Sequence, residues 1–107
     1  MSKPFAGQTA LVTGATQGIG RAVALALAEA GAQVWINHLD QPEAAIALVA
    51  RIAAAGGRAH AVQADVAVPE QVAGMFARVL AEGELDILVN NAGIILEKPF
   101  LDTSEDL

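Results

Sequence analysis

Thr13-Gly14-Ala15-Thr16-Gln17-Gly18-Ile19-Gly20, "TGATQGIG", is the stretch on which the reading of this chain turns. Its glycines follow the spacing G-x-x-x-G-x-G. Before it, Thr9 to Val12, "TALV", is a short buried-type β run that Gly14 stops. After it, Ile19 to Ala30, "IGRAVALALAEA", is dominated by Ala and Leu and has no Pro, which predicts a helix. A glycine-rich turn between a strand and a helix has a specific physical use. Gly14 takes the tight turn, Gly18 lets backbone approach a pyrophosphate where a Cβ would collide, and Gly20 lets the helix pack close to the sheet. The N–H groups that open the helix present partial positive charge to phosphate. Thr16 and Gln17 can add side-chain hydrogen bonds to phosphate oxygens. The alternative is a glycine-rich turn with no ligand, and the strand before and helix after weigh against it. No G-K-[ST] follows, which disfavours a mononucleotide-type phosphate loop.

Working outward, Ile19, Val23 and Leu27, with Ala26 and Ala30, share one helical face, and Gly31 stands where a C-terminal glycine cap would. Gln33 to Asn37, "QVWIN", reads as the second strand. Pro42 to Ala55 reads as the second helix, with Pro in its first turn, a stripe of Ile46, Val49 and Ala53, and Gly56-Gly57 ending it. Arg58 to Asp65, "RAHAVQAD", is the third strand. Pro69 to about Glu82 is the third helix, with Val72, Phe76 and Val79 or Leu80 inward. Leu85 to Gly93, "LDILVNNAG", is a fourth strand running into a loop. In "FLDTSEDL", Thr103 and Asp106 are spaced like a capping box with Asp for the usual Glu or Gln, so a further helix begins there. The β-α-β-α-β-α-β order predicts an α/β fold with a doubly wound parallel sheet and right-handed crossovers that place helices against its faces.

Composition narrows the partners. The chain has 107 residues, room for one domain, and is 54% hydrophobic. A net charge of −6 argues against nucleic acid or an anionic membrane surface as a partner. It does not argue against a nucleotide, which backbone N–H groups can hold. With no Cys there is no disulfide frame and no Cys-based metal site, and no metal ligands are assigned. The start, "MSKPFAGQTALVTG", lacks the apolar run of a secretory signal, and no stretch reaches the roughly 18 apolar residues of a membrane helix. A cytoplasmic protein is expected.

With three stretches in hand, the sequence resembles the short-chain dehydrogenases/reductases. "TGATQGIG" resembles their cofactor loop, "ADV" (Ala64 to Val66) their adenine-side Asp, and "NNAG" (Asn90 to Gly93) their second motif. The resemblance runs along the whole chain but matches only the N-terminal part of such a protein. It implies a Rossmann-type sheet of four strands in the order 3-2-1-4, with NAD or NADP across the carboxyl ends of the strands. Gly14, Thr16, Gln17, Gly18, Ile19 and Gly20 would form the phosphate loop. Asp65 would hydrogen-bond the adenine amino group and Val66 would pack on the ring. Locally, Asp65 also reads as a helix N-cap or turn residue ahead of Pro69, and both roles can coexist. Asn91, Ala92 and Gly93 would lie along the ribose and the middle of the cofactor, and Asn90 would tie neighbouring strands. Where NAD-binding relatives carry an acid at the tip of the second strand, this chain has His38. Where NADP-binding relatives often carry Arg or Lys, it has Gln17 and Leu39. Asn37 and His38 can bond a ribose 2′-OH or, with His protonated, a 2′-phosphate; for His38 an ordinary solvated loop fits equally well. His60 reads as a partly buried strand residue.

Hydride transfer in that family uses a Tyr acid/base with a Lys four residues later, aided by a Ser and an Asn. This chain has no Tyr, its Lys residues are Lys3 and Lys98, and its Ser residues are Ser2 and Ser104. No catalytic residue is therefore assigned. The resemblance implies an NAD(P)-dependent oxidoreductase acting on an alcohol or ketone, similar here to oxoacyl-carrier reductases and sugar dehydrogenases and a homo-oligomer at full length. The chain itself is expected to be truncated before the catalytic half and inactive alone. Two other readings stand beside this: a non-catalytic dinucleotide-binding module, and a truncated product whose fourth strand offers an unpaired apolar edge.

Overall fold

The computed structural model describes residues 3–91. Strands β1 (Thr9–Val12), β2 (Gln33–His38), β3 (Arg58–Gln63) and β4 (Ile87–Val89) alternate with helices α1 (Gly18–Glu29), α2 (Pro42–Ala54) and α3 (Pro69–Ala81). The strands form one parallel sheet in the order β3-β2-β1-β4, the Rossmann-type arrangement expected. Among the described residues β4 pairs only with β1. Register sets the carboxyl ends level: Val12 lies opposite both Ile36 and Val89. The loops that follow the strands therefore open on one rim. The helix start at Thr103 and Asp106 lies outside the described residues.

Strand alternation divides the interior into two layers. Ala10, Val12, Val34 and Ile36 face α1 and α2, and are covered by Ala24, Ala28, Ala45, Leu48 and Ile52. Leu11, Trp35 and Val62 face α3 and are covered by Met75 and Val79. Trp35 is 1% exposed. The His60 ring stands 4.6 Å from it and the Arg78 guanidinium 5.6 Å from its centroid. His60 itself is exposed, so the expectation of a partly buried strand residue is corrected. β3 is an edge strand of the sheet.

The helices lie where the pattern puts them, but α1 and α2 are turned. In α1 the buried residues are Gly20, Ala24 and Ala28, while Ile19 is 75% exposed. In α2 they are Ala45, Leu48 and Ile52, while Ile46 is 62% exposed. In α3 they are Met75 and Val79, with Val72 and Phe76 half-buried and Leu80 exposed. In α1 and α2 the shift is one residue, or roughly 100° of helix rotation, whereas α3 keeps Val79 inward as the pattern expects, with Met75 beside it. In α1 the cause is steric. Close packing on the sheet puts its smallest side chains, Gly20, Ala24 and Ala28, at the line of contact and the larger Val23 and Leu27 along the flanks.

Ends are fixed by hydrogen bonds. After the C-cap Ala30, Ala32 N–H donates to Leu27 O and Gly31 N–H to Ala28 O, the glycine cap the sequence predicts. β4 is started by Asp86, whose carboxylate accepts the Thr9 N–H at 2.8 Å while its own N–H donates to Thr9 O at 2.9 Å.

Candidate functional site

Gly14 and Gly18 have φ of +59° and +61°, values that L side chains rarely adopt. They bend the chain off β1 and into α1. Gly18 is exposed, and a Cβ built on it meets nothing within 4 Å. Gly20 is the opposite case: its Cβ would lie 2.5 Å from Asn91 Nδ2 and closer still to the Gly14 carbonyl oxygen. One glycine keeps the outer side of the turn open, and the other lets helix, turn and β4 loop touch.

The start of α1 differs electrostatically from those of α2 and α3. Those two begin with Pro and carry Glu43 and Glu70 in their first turns. α1 has no acid in its first turn, and its N-cap Gln17, like the N-caps of α2 and α3, gives no side-chain hydrogen bond. The positive end of its dipole and its leading N–H groups are thus left uncompensated by the chain. Such a terminus suits an anion. Ile19, in that first turn, points its bulk to solvent beside the loop.

The β4 loop is tied to the glycine turn through Thr13. The Thr13 hydroxyl accepts the Asn91 N–H at 2.9 Å and lies 3.2 Å from Asn90 Oδ1. Asn91 Nδ2 donates to Gly14 O at 3.1 Å. Asn90 thus ties β4 to β1, and Asn91 is exposed on the rim beside the turn. Ala92 and Gly93 lie outside the described residues.

Two expectations change in detail, and for Asp65 the structure selects one of the two local readings. The Thr16 hydroxyl is hydrogen-bonded to the Gln41 side chain across the β2–α2 connection. His38 is 7% exposed and ends β2 rather than sitting in a solvated loop. It pairs with Gln63, and its Nδ1 accepts the Gln41 N–H at 3.2 Å. Asp65 is a turn residue, not an N-cap. Its Oδ1 accepts the Ala67 N–H at 2.9 Å, its carbonyl accepts the Val68 N–H, and Val68 is the N-cap of α3. Val66, half-buried, shares a small cleft with Thr13 and Asn90.

The sequence offers Asn37 as a possible ribose contact; the structure buries it at 1% exposure. Its Oδ1 accepts the Gly14 N–H at 3.1 Å and its Nδ2 donates to Ala64 O at 3.2 Å. No local pattern signals this, because both partners are distant in sequence.

The candidate residues in the described part therefore gather on one rim, in the loops after β1 to β4, beside the switch point where β1 separates β2 from β4. A cavity of about 610 Å³ lies elsewhere, lined by Lys3, Gln8, Gly31, Gln33, Gly57 and Arg58 at the amino ends of the strands. It is larger than the rim cleft, but it holds neither the glycine turn nor a helix N-terminus, so the rim remains the site of choice. Among the described residues no His/Asp/Glu group could hold a metal ion, and no helix is long and apolar enough to cross a membrane.

The chain resembles known proteins. The chain is 49% identical over 88 residues to the 3-oxoacyl-[acyl-carrier-protein] reductase of Staphylococcus aureus, covering 81% of this chain and 36% of that one. It is 50% identical over 95 residues to an uncharacterized oxidoreductase of Methylorubrum extorquens, covering 88% and 38%. A short chain dehydrogenase from Burkholderia cenocepacia, solved in complex with NADP, superposes with a TM-score of 0.79 at 53% identity, covering 84% of this chain and 37% of that one. The chain thus spans well under half the length of these relatives. The glycine turn, the strand order and a match of residues 8–107 to the model for short chain dehydrogenases agree, and the chain belongs to that family.

Proposed function

We propose that residues 1–107 form the dinucleotide-binding part of an NAD(P)-dependent oxidoreductase that interconverts an alcohol and a ketone. The observation that carries this is the start of α1: a glycine turn with open space at Gly18 and a helix terminus with neither acid nor side-chain cap. It is supported by the family and by the NADP-bound Burkholderia relative.

On this reading the leading N–H groups of α1 receive the pyrophosphate, and Gly18 leaves it room. Gln17, exposed at the N-cap, reaches toward its oxygens, and Ile19 shields the loop from water. Thr16 contributes through the Gln41 contact that shapes the loop wall. Asp65 and Val66 meet the adenine, and Asn91, Ala92 and Gly93 follow the ribose. His38 stands at the 2′ side with its ring already bonded to Gln41, and neither an acid nor a cation marks that position, so NAD and NADP are both admitted. When bound, the cofactor supplies or accepts hydride. The proton that accompanies hydride needs a positioned acid/base, and with no Tyr in the chain residues 1–107 bind but do not turn over. A cytoplasmic location and a homo-oligomeric parent belong to the same reading.

Calorimetric titration with NAD⁺, NADP⁺ and NADPH tests it. Heat of binding with at least one is expected, and no heat with any of them sinks the proposal. A second reading, a binding module without chemistry of its own, is favoured by the missing Tyr. Steady NADPH oxidation by the purified chain with a panel of ketones would overturn the claim that it does not turn over.

A further inference from the structure

Asn37 is the residue on which the two ends of the candidate site converge. Its Oδ1 accepts the Gly14 N–H at 3.1 Å. Its Nδ2 faces three carbonyl oxygens, of Ala64 at 3.2 Å, Val62 at 3.4 Å and His38 at 3.5 Å. The amide orientation follows from this: a flipped carboxamide would set N–H against N–H on one side and oxygen against oxygen on the other. The backbone repeats the pattern. Asn37 O accepts the Ala15 N–H and His38 O accepts the Ala64 N–H, both at 3.0 Å. Gly14 and Ala15 belong to the phosphate turn, and Ala64 precedes the adenine-side Asp65. One buried side chain therefore spans from the first of these to the second.

A dinucleotide is two nucleotide halves joined by a short pyrophosphate. Its affinity exceeds that of either half because the second half binds at a high effective concentration, and that gain depends on a matched spacing between the two subsites. At 1% exposure Asn37 is closed to any ligand and can act only through the backbone it holds.

We propose that Asn37 is a positioning residue for the dinucleotide: it holds the phosphate turn and the end of β3 at one spacing, so that the two halves of the ligand are bound together. This rests on the dinucleotide reading above. An Asn present only to fill the end of β2 would affect every ligand through stability alone.

Asn37→Asp separates the two cases because it keeps shape and volume. Its carboxylate still accepts the Gly14 N–H but turns an oxygen toward the carbonyls of Ala64 and Val62. Buried among carbonyls, the acid is favoured in its protonated form, whose O–H restores the missing donor. Calorimetry on the chain and on N37D, with NADP⁺, NAD⁺ and AMP at pH 8 and pH 5.5, gives the test. His38 and Asp65 are present in both proteins, so the unsubstituted chain at each pH is the control. At pH 8 the variant is expected to bind the dinucleotide at least tenfold more weakly while AMP binding changes less than threefold. At pH 5.5 most of the loss, taken as the ratio of variant to unsubstituted affinity at the same pH, is expected to be recovered. If the unsubstituted chain binds neither dinucleotide, the functional reading falls and takes this inference with it. If it binds and N37D binds the dinucleotide within twofold at pH 8, or loses AMP and dinucleotide equally, the inference alone falls. Should N37D not fold, nitrogen-15 NMR of the unsubstituted chain decides. Saturating dinucleotide is expected to shift the Asn37 side-chain amide pair, though no ligand atom can reach it, and an unmoved pair overturns the proposal.

Discussion

Gly20→Ala and Gly74→Ala are the same chemical change in two helices, and the structure assigns them opposite signs. A Cβ at Gly74, on the exposed side of α3, meets nothing within 4 Å. Replacing a helical Gly there by Ala is worth about 0.5–1 kcal/mol of stability, since less chain entropy is lost on folding. Gly20 is offered the same gain but is buried, and its Cβ would run into the Gly14 carbonyl and Asn91 Nδ2. Backbone cannot swing aside as a surface side chain can, so overpacking costs about 1–3 kcal/mol. Displacing the Asn91–Gly14 hydrogen bond costs about 0.5–1.5 kcal/mol more. Setting about 1 kcal/mol of helix propensity against these leaves G20A less stable by about 0.5–3.5 kcal/mol. Because the unfolded-state effect is shared, the difference between the two variants is the cleaner quantity. Urea denaturation followed by Trp35 fluorescence and by helical circular dichroism measures it, and in a thermal melt each kcal/mol corresponds to about 4–8 °C at this chain size. G74A is expected above the unsubstituted chain and G20A below it. A G20A protein as stable as its parent, with G74A unchanged, would refute the packing of α1 against the glycine turn.

Other expectations follow from single contacts. Gly18→Ala forces an L residue to φ +61° and costs about 1–2 kcal/mol, yet its Cβ would stand in open space; dinucleotide affinity should fall at least tenfold by calorimetry, and unchanged affinity would place the phosphate elsewhere. Leu48→Ala, at 2% exposure, should cost about 2–5 kcal/mol in urea titration, whereas Ile46→Ala, at 62% exposure, should stay within about 0.5 kcal/mol; the reverse order would mean α2 is turned the other way. Arg78→Gln removes a cation from above the Trp35 ring and should cost about 0.5–1 kcal/mol, with the emission of this single Trp remaining that of a buried indole.

The sequence by itself determined the order of elements, the bounds of β1, the start of every helix to within a residue and the glycine turn that marks the rim. Each of these is local: alternation of β runs with helical runs, Pro and Gly at the ends, and glycines placed where φ must be positive. What the tertiary structure decided is which way things face. α1 and α2 are apolar on most sides, so several stripes compete in the sequence; close approach to the sheet selects the small Gly20-Ala24-Ala28 set in α1, while in α2 the packed fold buries Ala45-Leu48-Ile52 rather than the equally apolar Ile46-Val49-Ala53. The same holds on the rim. Asn37 and His38 are adjacent polar residues at a strand tip, and nothing local says that one will bond Gly14 and Ala64 while the other bonds Gln41. Those partners are brought together by strand register. A hydrogen bond depends on position in space, and the chain acquires those positions only once β1, β2 and β3 lie side by side.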